Sequence, residues 1–397
     1  MKHTLLYLYV AVGMLMMASC SSDDEMSAAP ETPETVDVQG ESRAVSWLAK
    51  AKTPEDLQKV EDAIGAVRGA GYTYRENDSY CIGTDIEVFN MRHLREMEQK
   101  YNTSYIVDDY NPTNDQKFYY SESLNELKNQ LSLEVGVGVS AGVFSVDVEV
   151  GFNKKKFETT KNYYSLMRLK QSYFSRDFNY LNLREQVSYA IAHSSVADTY
   201  PSIDADSLAK LVPLFKEAYA PGFSDVMQKF VRKIHGATTG FAASGICREF
   251  IEEVGPSFVT RSVLGCSLDY YNTTRMDSVS NSLDVKVALE LGVSIGIFSV
   301  SAGVSTEYKD AAMKCNRNSE SHITARGGNV ALVTAFTTGQ AASIDKSTLR
   351  DWQASVTPQD AALIDIRLVP IYEVIYDAKT RNILKNYMEK SLSNFNE

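Results

Sequence analysis

The sequence predicts an α+β domain built around one sheet whose strands come from distant parts of the chain. Three observations predict it. A helical block near the middle has strand-like runs on both sides, a period-two stretch is repeated on either side of that block, and the composition supplies a large core. Of 397 residues, 44% are apolar and 10% aromatic, which is ordinary for a globular chain and too rich for a disordered one. Lys and Arg total 40 against 51 Asp and Glu, a net charge of −11, and this acidic balance excludes a nucleic-acid partner.

The N-terminus departs from the globular pattern. Lys2 precedes an apolar run from Leu5 to Met17, too short for a permanent membrane span and suited to the core of a signal peptide. Ala18 and Ser19 then lead into Cys20, which resembles the lipobox of bacterial lipoproteins. That resemblance makes residues 1–19 a lipoprotein signal peptide and Cys20 the lipidated first residue of the mature chain; an ordinary signal peptide with an incidental Cys20 is the alternative. Asp23, Asp24 and Glu25 resemble the export signal that sends lipoproteins of the Bacteroidetes to the outer face of the outer membrane. The expected location is therefore the bacterial outer membrane, surface-exposed, with release from it as the alternative. Residues 20–43, rich in Ala, Pro, Glu, Thr and Ser, read as a flexible tether to a domain spanning 44–397.

Thr53-Pro54-Glu55-Asp56 is a helix start, and Leu57, Val60, Ile64 and Val67 give that helix one apolar face before Gly69 and Gly71 stop it. The helical block comprises Leu183 to Ala192, Ser207 to Ala220 broken at Pro213, and Ser224 to His235, with Gly236 suited to a left-handed cap. Toward the C-terminus, Val330 to Phe336 and Leu363 to Ile375 read as strands, the latter at an edge or bulge because of Pro370. A charged helix from about Ala378 to Leu392 follows.

Residues 138 to 146 read GVSAGVFSV and residues 292 to 300 read GVSIGIFSV, seven identities in nine. In the first copy the odd positions from Leu131 through Val135, Val137 and Val139 to Val143 are apolar, with polar or small residues between them. After Val143 the even positions take over, beginning at Phe144. The second copy does the same, from Val285 through Leu289, Leu291 and Val293 to Ile297, then from Phe298. A strand cannot change face without a turn or bulge, so each copy reads as one amphipathic strand, a Gly-x-Phe corner and a second strand. The arms before the flip are long enough to cross a bilayer as strands of a barrel, while a half-buried sheet of a soluble sandwich has the same alternation.

Val254-Gly255-Pro256-Ser257-Phe258, then six residues, then Gly265-Cys266 resembles the signature of the membrane attack complex/perforin (MACPF) family, with Gly255, Phe258 and Gly265 as the matching anchors. Val254, Pro256, Ser257 and Cys266 depart from it. The order of repeat copy, helical block, motif and repeat copy is also that of the family, and Arg326-Gly327-Gly328, Trp352, Ser355-Val356 and Leu368 to Ile375 resemble its closing section. The resemblance implies a bent, twisted four-stranded antiparallel sheet flanked by two helical clusters, as in MACPF proteins and cholesterol-dependent cytolysins. It also implies Gly255 and Gly265 as flexible points near the bend, and about 123–165 and 276–322 as segments that refold into membrane hairpins. The implied function is a pore former that acts on the lipid membrane of a target cell as a homo-oligomeric ring or arc, in antibacterial competition. The candidate inserting positions are Val135, Val137, Val139, Val143, Phe144, Leu289, Leu291, Val293, Ile297 and Phe298. A non-lytic surface lipoprotein that uses the fold for adhesion, with a protein or glycan receptor, is the alternative.

Catalysis has little support. His3, His93, His193, His235 and His322 form no metal or triad pattern, and no cofactor is expected. The glycines from Gly136 to Gly142 miss the dinucleotide spacing and lead into an alternating strand. Lys154-Lys155-Lys156 fits a solvated hairpin tip or a contact with anionic headgroups. Cys81, Cys247, Cys266 and Cys315 allow up to two disulfides or free buried thiols.

Overall fold

The computed structural model describes residues 54–66, 68–76, 81–135, 161–276, 285–286, 289–290, 306–317, 319–338 and 346–393. All the described residues lie in one compact unit.

Pro54 opens α1 (Pro54–Ala66), and the chain enters the sheet through β1 (Tyr72–Glu76) and β2 (Cys81–Glu87). Helix α2 (Met91–Tyr101) leads to β3 (Ile106–Asp109) and β4 (Thr113–Ser121), then α3 (Leu124–Val135). Strand β5 (Asn162–Phe178) runs into the helical block of α4 (Tyr180–Ala192), α5 (Ala205–Leu211), α6 (Pro213–Ala218), α7 (Pro221–Gly236) and α8 (Gly240–Val254). Pro213 and Pro221 each occupy a first helical position, where a missing N–H costs nothing. Helix α7 ends at Gly236 as its apolar spacing predicts, but Ala237 is extended and no left-handed cap forms.

Strand β6 (Ser257–Arg275) follows, then α9 (Thr306–Arg317), β7 (Ser319–Arg326), α10 (Lys346–Ala354), β8 (Ala362–Pro370) and α11 (Ala378–Ser393). Two C-terminal expectations are corrected here. Val330 to Phe336 is a 3-10 turn (Val330–Val333) followed by the helical turn Thr334–Thr337, because Val333 alone of Val330, Leu332 and Val333 is buried and the residues cannot alternate across a sheet. The strand expected to reach Ile375 ends at Pro370, which caps a 3-10 turn at Ile371–Val374 that buries Ile371 and Val374; the expected edge placement holds, since among the described strands β8 pairs with β6 alone.

Among the described residues all strand pairings are antiparallel, and the eight strands form one sheet. At one end it is four-stranded, in the order β4, β5, β6, β7; at the other, β3 flanks β5 while β8 and β1 flank β6. The main core lies at this second end, where Phe89, Phe178 and Phe258 pack with Val187, Phe215, Phe223, Phe230 and Leu384 of the helices.

The repeat arms are not strands where the structure describes them. Leu131 to Val135 belong to α3, and Val285, Lys286, Leu289 and Glu290 are helical. The physical reason is a second periodicity in the same residues. Leu124, Leu127 and Leu131 fall on one helical face and pack against Tyr74, Leu166, Val259, Tyr271, Ile366 and Leu368. Val285 and Leu289, one turn apart, pack with Cys315 against Phe118, Tyr120 and Tyr163. Val137, Val139, Val143, Phe144, Leu291, Val293, Ile297 and Phe298 lie outside the described residues, as do Cys20 and residues 1–43.

Candidate functional site

The three signature residues sit along one stretch of β6 and its approach, and each has a distinct task. Gly255 follows α8 with φ +93°, donates its N–H to Ile251 O at 2.8 Å, and lies so close to β1 that a Cβ would stand 2.6 Å from Tyr74 O. Only glycine satisfies both demands. Phe258 is fully buried, edge-on to Tyr180 at 5.1 Å and to Phe89 at 6.3 Å, and joins the sheet to the helical body.

Gly265 marks the elbow. Here β6 exchanges partners, from β8 at Gly265↔Ala362 to β7 at Ser267↔Arg326. Its pairing with β5 slips between Ser172 and Phe174, leaving Tyr173 as a bulge, and its pairing with β8 slips between Val263 and Leu264. A Cβ at Gly265 would stand 1.9 Å from Gln171 O, so close approach of the neighbouring strand fixes glycine there. Cys266, on the opposite face, carries a side chain without conflict.

The closing-section residues converge on the same elbow. Gly327 has φ +74°, and a Cβ there would lie 2.3 Å from Gly265 O. Trp352 donates its indole N–H to Gly327 O at 2.9 Å, Tyr173 donates its hydroxyl to Gln353 O, and Gly328 N donates to Asp360 O at 2.9 Å. Ser355 Oγ accepts from Asn329 N at 2.8 Å and donates to Trp352 O at 2.6 Å. Helix α10 thus clasps the β5 bulge on one side of β6 and the turn after β7 on the other.

Above the elbow the sheet has two differently used faces. Tyr119, Leu166 and Tyr271 lie across one face under α3, while Phe118 and Tyr163 lie on the other under the Leu289 and Cys315 cluster. The two repeat-bearing segments therefore dock on opposite faces. Both also connect adjacent antiparallel strands at the same end of the sheet: one links β4 to β5 beyond Ser121↔Tyr164, the other links β6 to β7 beyond Thr274↔Ser319.

Arg168 and Asp269 face each other between β5 and β6 on the α3 side, joined by two bonds of 2.8 and 2.9 Å and each 4% exposed. Burial works against the charge of Asp269, but the Arg168 guanidinium outweighs it and holds the carboxyl below the ordinary aspartate range. Lys170 reaches Asp365 at 3.2 Å one row away. Sequence reasoning missed this pair because the two residues lie far apart on strands with no alternation; no local signal joins them.

Cys247, Cys266 and Cys315 are free buried thiols, which rules out two disulfides. Burial pushes Cys247 up to about 11 and Cys266 up to about 12, so both are unreactive. His93 faces Glu96 at 3.3 Å on the surface, His193 stacks on Tyr189 at 3.8 Å and His235 binds Asp377 at 3.0 Å. The glycines from Gly136 to Gly142 and the Lys154 to Lys156 run lie outside the described residues. Among the described residues no cluster has metal-ligand character, and no helix is long and apolar enough to cross a membrane.

The fold is similar to that of GNIP1Aa from Chromobacterium piscinae, with a TM-score of 0.57 and 15% identity over 83% of this chain and 56% of that one. A MAC/Perforin-domain protein from Bacteroides thetaiotaomicron aligns at TM-score 0.47 and 14% identity, over 81% of this chain and 59% of that one. Suilysin from Streptococcus suis aligns at TM-score 0.30 and 14% identity, over 71% and 45%. The chain thus spans a little over half the length of the first two solved structures. No curated protein matches it in sequence. The MAC/Perforin domain model matches residues 109–397, which contain the elbow, both docked clusters and the closing section, and the chain belongs to the MACPF family.

Proposed function

We propose that this chain is a pore-forming MACPF protein of a bacterial cell surface. It is held at the outer membrane by a lipid on Cys20, or released from it, assembles as a ring or arc on a target membrane, and inserts both repeat segments as hairpins against competing bacteria. One observation supports the reading: the strand registers, if continued, and the sequence repeat point to the same two turns. Continued residue by residue past Ser121↔Tyr164, β4 and β5 would meet at Gly142-Val143, and β6 and β7, continued past Thr274↔Ser319, would meet at Gly296-Ile297. These are equivalent residues of the repeat, and they are where the apolar parity flips.

The flip is what such hairpins require. When a turn falls between neighbouring residues of opposite parity, apolar residues of both arms share a face only if parity changes there. Val137 then meets Val148 and Val139 meets Val146; in the second hairpin Leu289 meets Val304 and Val293 meets Val300. Extending β5 and β6 past Asn162↔Arg275 sets Val148 beside Leu289 and Val146 beside Leu291, so one apolar face runs across four strands. Such a face meets lipid while the other lines water, and arms from Leu133 to Gly142 match the roughly 9–11 residues a tilted strand needs. Among the described strands β4 and β7 are each paired on one side only, which suits head-to-tail joining of copies into a closed ring.

Purified mature protein should release dye from lipid vesicles and form rings or arcs in electron micrographs. Val137→Asp and Val293→Asp should each abolish release while leaving the monomer's thermal unfolding unchanged, since the new charge would face lipid. Absence of both leakage and rings in the unaltered protein would favour the non-lytic adhesive reading. Loss of membrane fractionation in Cys20→Ala tests the lipid anchor.

A further inference from the structure

We infer that Arg168 and Asp269 pin the register of β5 against β6, the two inner strands from which the proposed hairpins would continue; their part in pore formation rests on that hairpin reading. The upper half of this strand pair runs from Asn162↔Arg275 to Ser172↔Gly265, and its sequence specifies alignment weakly. A one-residue slip is normally penalised because it turns a buried face to water, but β5 and β6 are buried along most of their length on both faces. Tyr163-Tyr164, Tyr270-Tyr271 and Thr273-Thr274 are doublets. Tyr163 faces Thr274 and Tyr164 faces Thr273, so a slip of one residue in either direction still sets a tyrosine against a threonine. In either direction one of Leu166 and Met167 still meets a tyrosine as well.

The ion pair does not tolerate such a slip. Arg168 Nε and Nη2 reach the two carboxylate oxygens of Asp269 at 2.8 and 2.9 Å, and the Tyr271 hydroxyl donates to the same carboxylate at 3.3 Å. One residue either way sets Leu268 or Tyr270 opposite Arg168 and turns the carboxylate to the other face, leaving two buried charges apart. Two residues one way set Ser267 opposite Arg168 and Leu166 opposite Asp269. Two the other way set Lys170, which holds Asp365 at 3.2 Å, opposite Asp269 and leave the guanidinium against Tyr271. The lower half has its own cross-strand pair, Asp177 and Arg261 at 3.6 Å, but the Tyr173 bulge lies between and uncouples the two alignments. A buried ion pair adds little net stability, and fixing register is its best-attested use. Once α3 leaves Leu166 and Tyr271, the pair is what keeps the strands beneath it aligned.

The test sets Arg168→Met with Asp269→Leu, which removes both charges, beside Arg168→Lys, which keeps a cation opposite the carboxylate. The apolar pair should melt within about 3 °C of the unaltered chain, since well-packed apolar residues replace a buried ion pair at little net cost. Hydrogen exchange read by mass spectrometry should nonetheless show the amides of 162–172 and 265–275 exchanging about tenfold faster, with 174–178 and 257–263 unmoved. Arg168→Lys should keep the slow exchange. Dye release from lipid vesicles should fall several-fold in the apolar pair and persist in Arg168→Lys. Slow exchange in the upper half of the apolar pair, or acceleration shared equally by both halves, would overturn the pin. Release by the apolar pair at the unaltered rate would overturn its part in conversion. An unaltered protein that releases no dye, with the exchange pattern as expected, would overturn the hairpin reading and leave the pin standing.

Discussion

Replacing Gly265 by alanine tests whether close approach at the elbow fixes the shape of the sheet. The added Cβ would stand 1.9 Å from Gln171 O and 3.0 Å from Ile364 Cδ1, against the 3.4 Å at which ordinary contact begins. The β5 carbonyl belongs to backbone that is itself paired, so relief requires β5 and β6 to separate by about 1.5 Å at this point. Overpacking of this kind costs about 1–3 kcal/mol, and weakening the hydrogen bonds beside it adds about 1 kcal/mol more. A net loss of about 3 kcal/mol, at about 2 °C per kcal/mol for a large domain, lowers Tm by about 6 °C. Thermal unfolding followed by near-ultraviolet circular dichroism measures it, with Gly222→Ala as control because nothing lies within 4 Å of that position. A Gly265→Ala protein melting within a degree of the unaltered chain would refute the close-approach argument.

The Arg168 and Asp269 pair gives a second prediction: Asp269→Ala should cost about 3–5 kcal/mol by taking the bidentate carboxylate from a buried guanidinium, whereas Arg168→Met with Asp269→Leu should recover most of it. Denaturant unfolding of the two variants decides, and equal losses in both would show that the charges do not act as a pair. Leu127 is the fully buried residue by which α3 packs on the sheet, and it lies outside the apolar band of the proposed hairpin. Leu127→Ala should therefore loosen the docked helix by about 2–5 kcal/mol and speed vesicle release; slower release would count against α3 as a segment that must undock.

The helices were the legible part of the fold. In α4, α7 and α11 an apolar stripe faces one core, so the 3.6-residue period stands out in the sequence. The two longest strands were illegible for the opposite reason: β5 and β6 are buried along most of their length on both faces and carry Arg168, Lys170, Gln171, Asp269 and Asn272 inside. Neither alternation nor a continuous apolar run survives such a composition. At the elbow, Gly255, Phe258 and Gly265 could be picked out by spacing, and Gly327 and Trp352 by resemblance, but their meeting depends on a partner exchange along β6 that no local pattern encodes.

The misreading of α3 as a strand follows from a chain written for two partners. Leu124, Leu127 and Leu131 satisfy a helix packed on a sheet, while Leu131, Leu133 and Val135 satisfy an alternating strand, and Leu131 serves both. A helix closes its backbone hydrogen bonds within itself, so α3 can leave the sheet without exposing unpaired amides to lipid; a hairpin closes them across strands and is the other solution a bilayer accepts. What separates the two states is then chiefly the apolar surface each one covers. In the docked form that cover is the Tyr271 and Leu166 face on one side and the Phe118, Tyr120 and Tyr163 face on the other. The two clusters dock on opposite faces, whereas the proposed hairpins would gather their apolar residues on a single face, so the proposed conversion would need more than a small side-chain adjustment. Gly265, Gly327, Tyr173 and Trp352 hold β6 between its two partners at the elbow, the place where a straightening of the sheet would meet resistance.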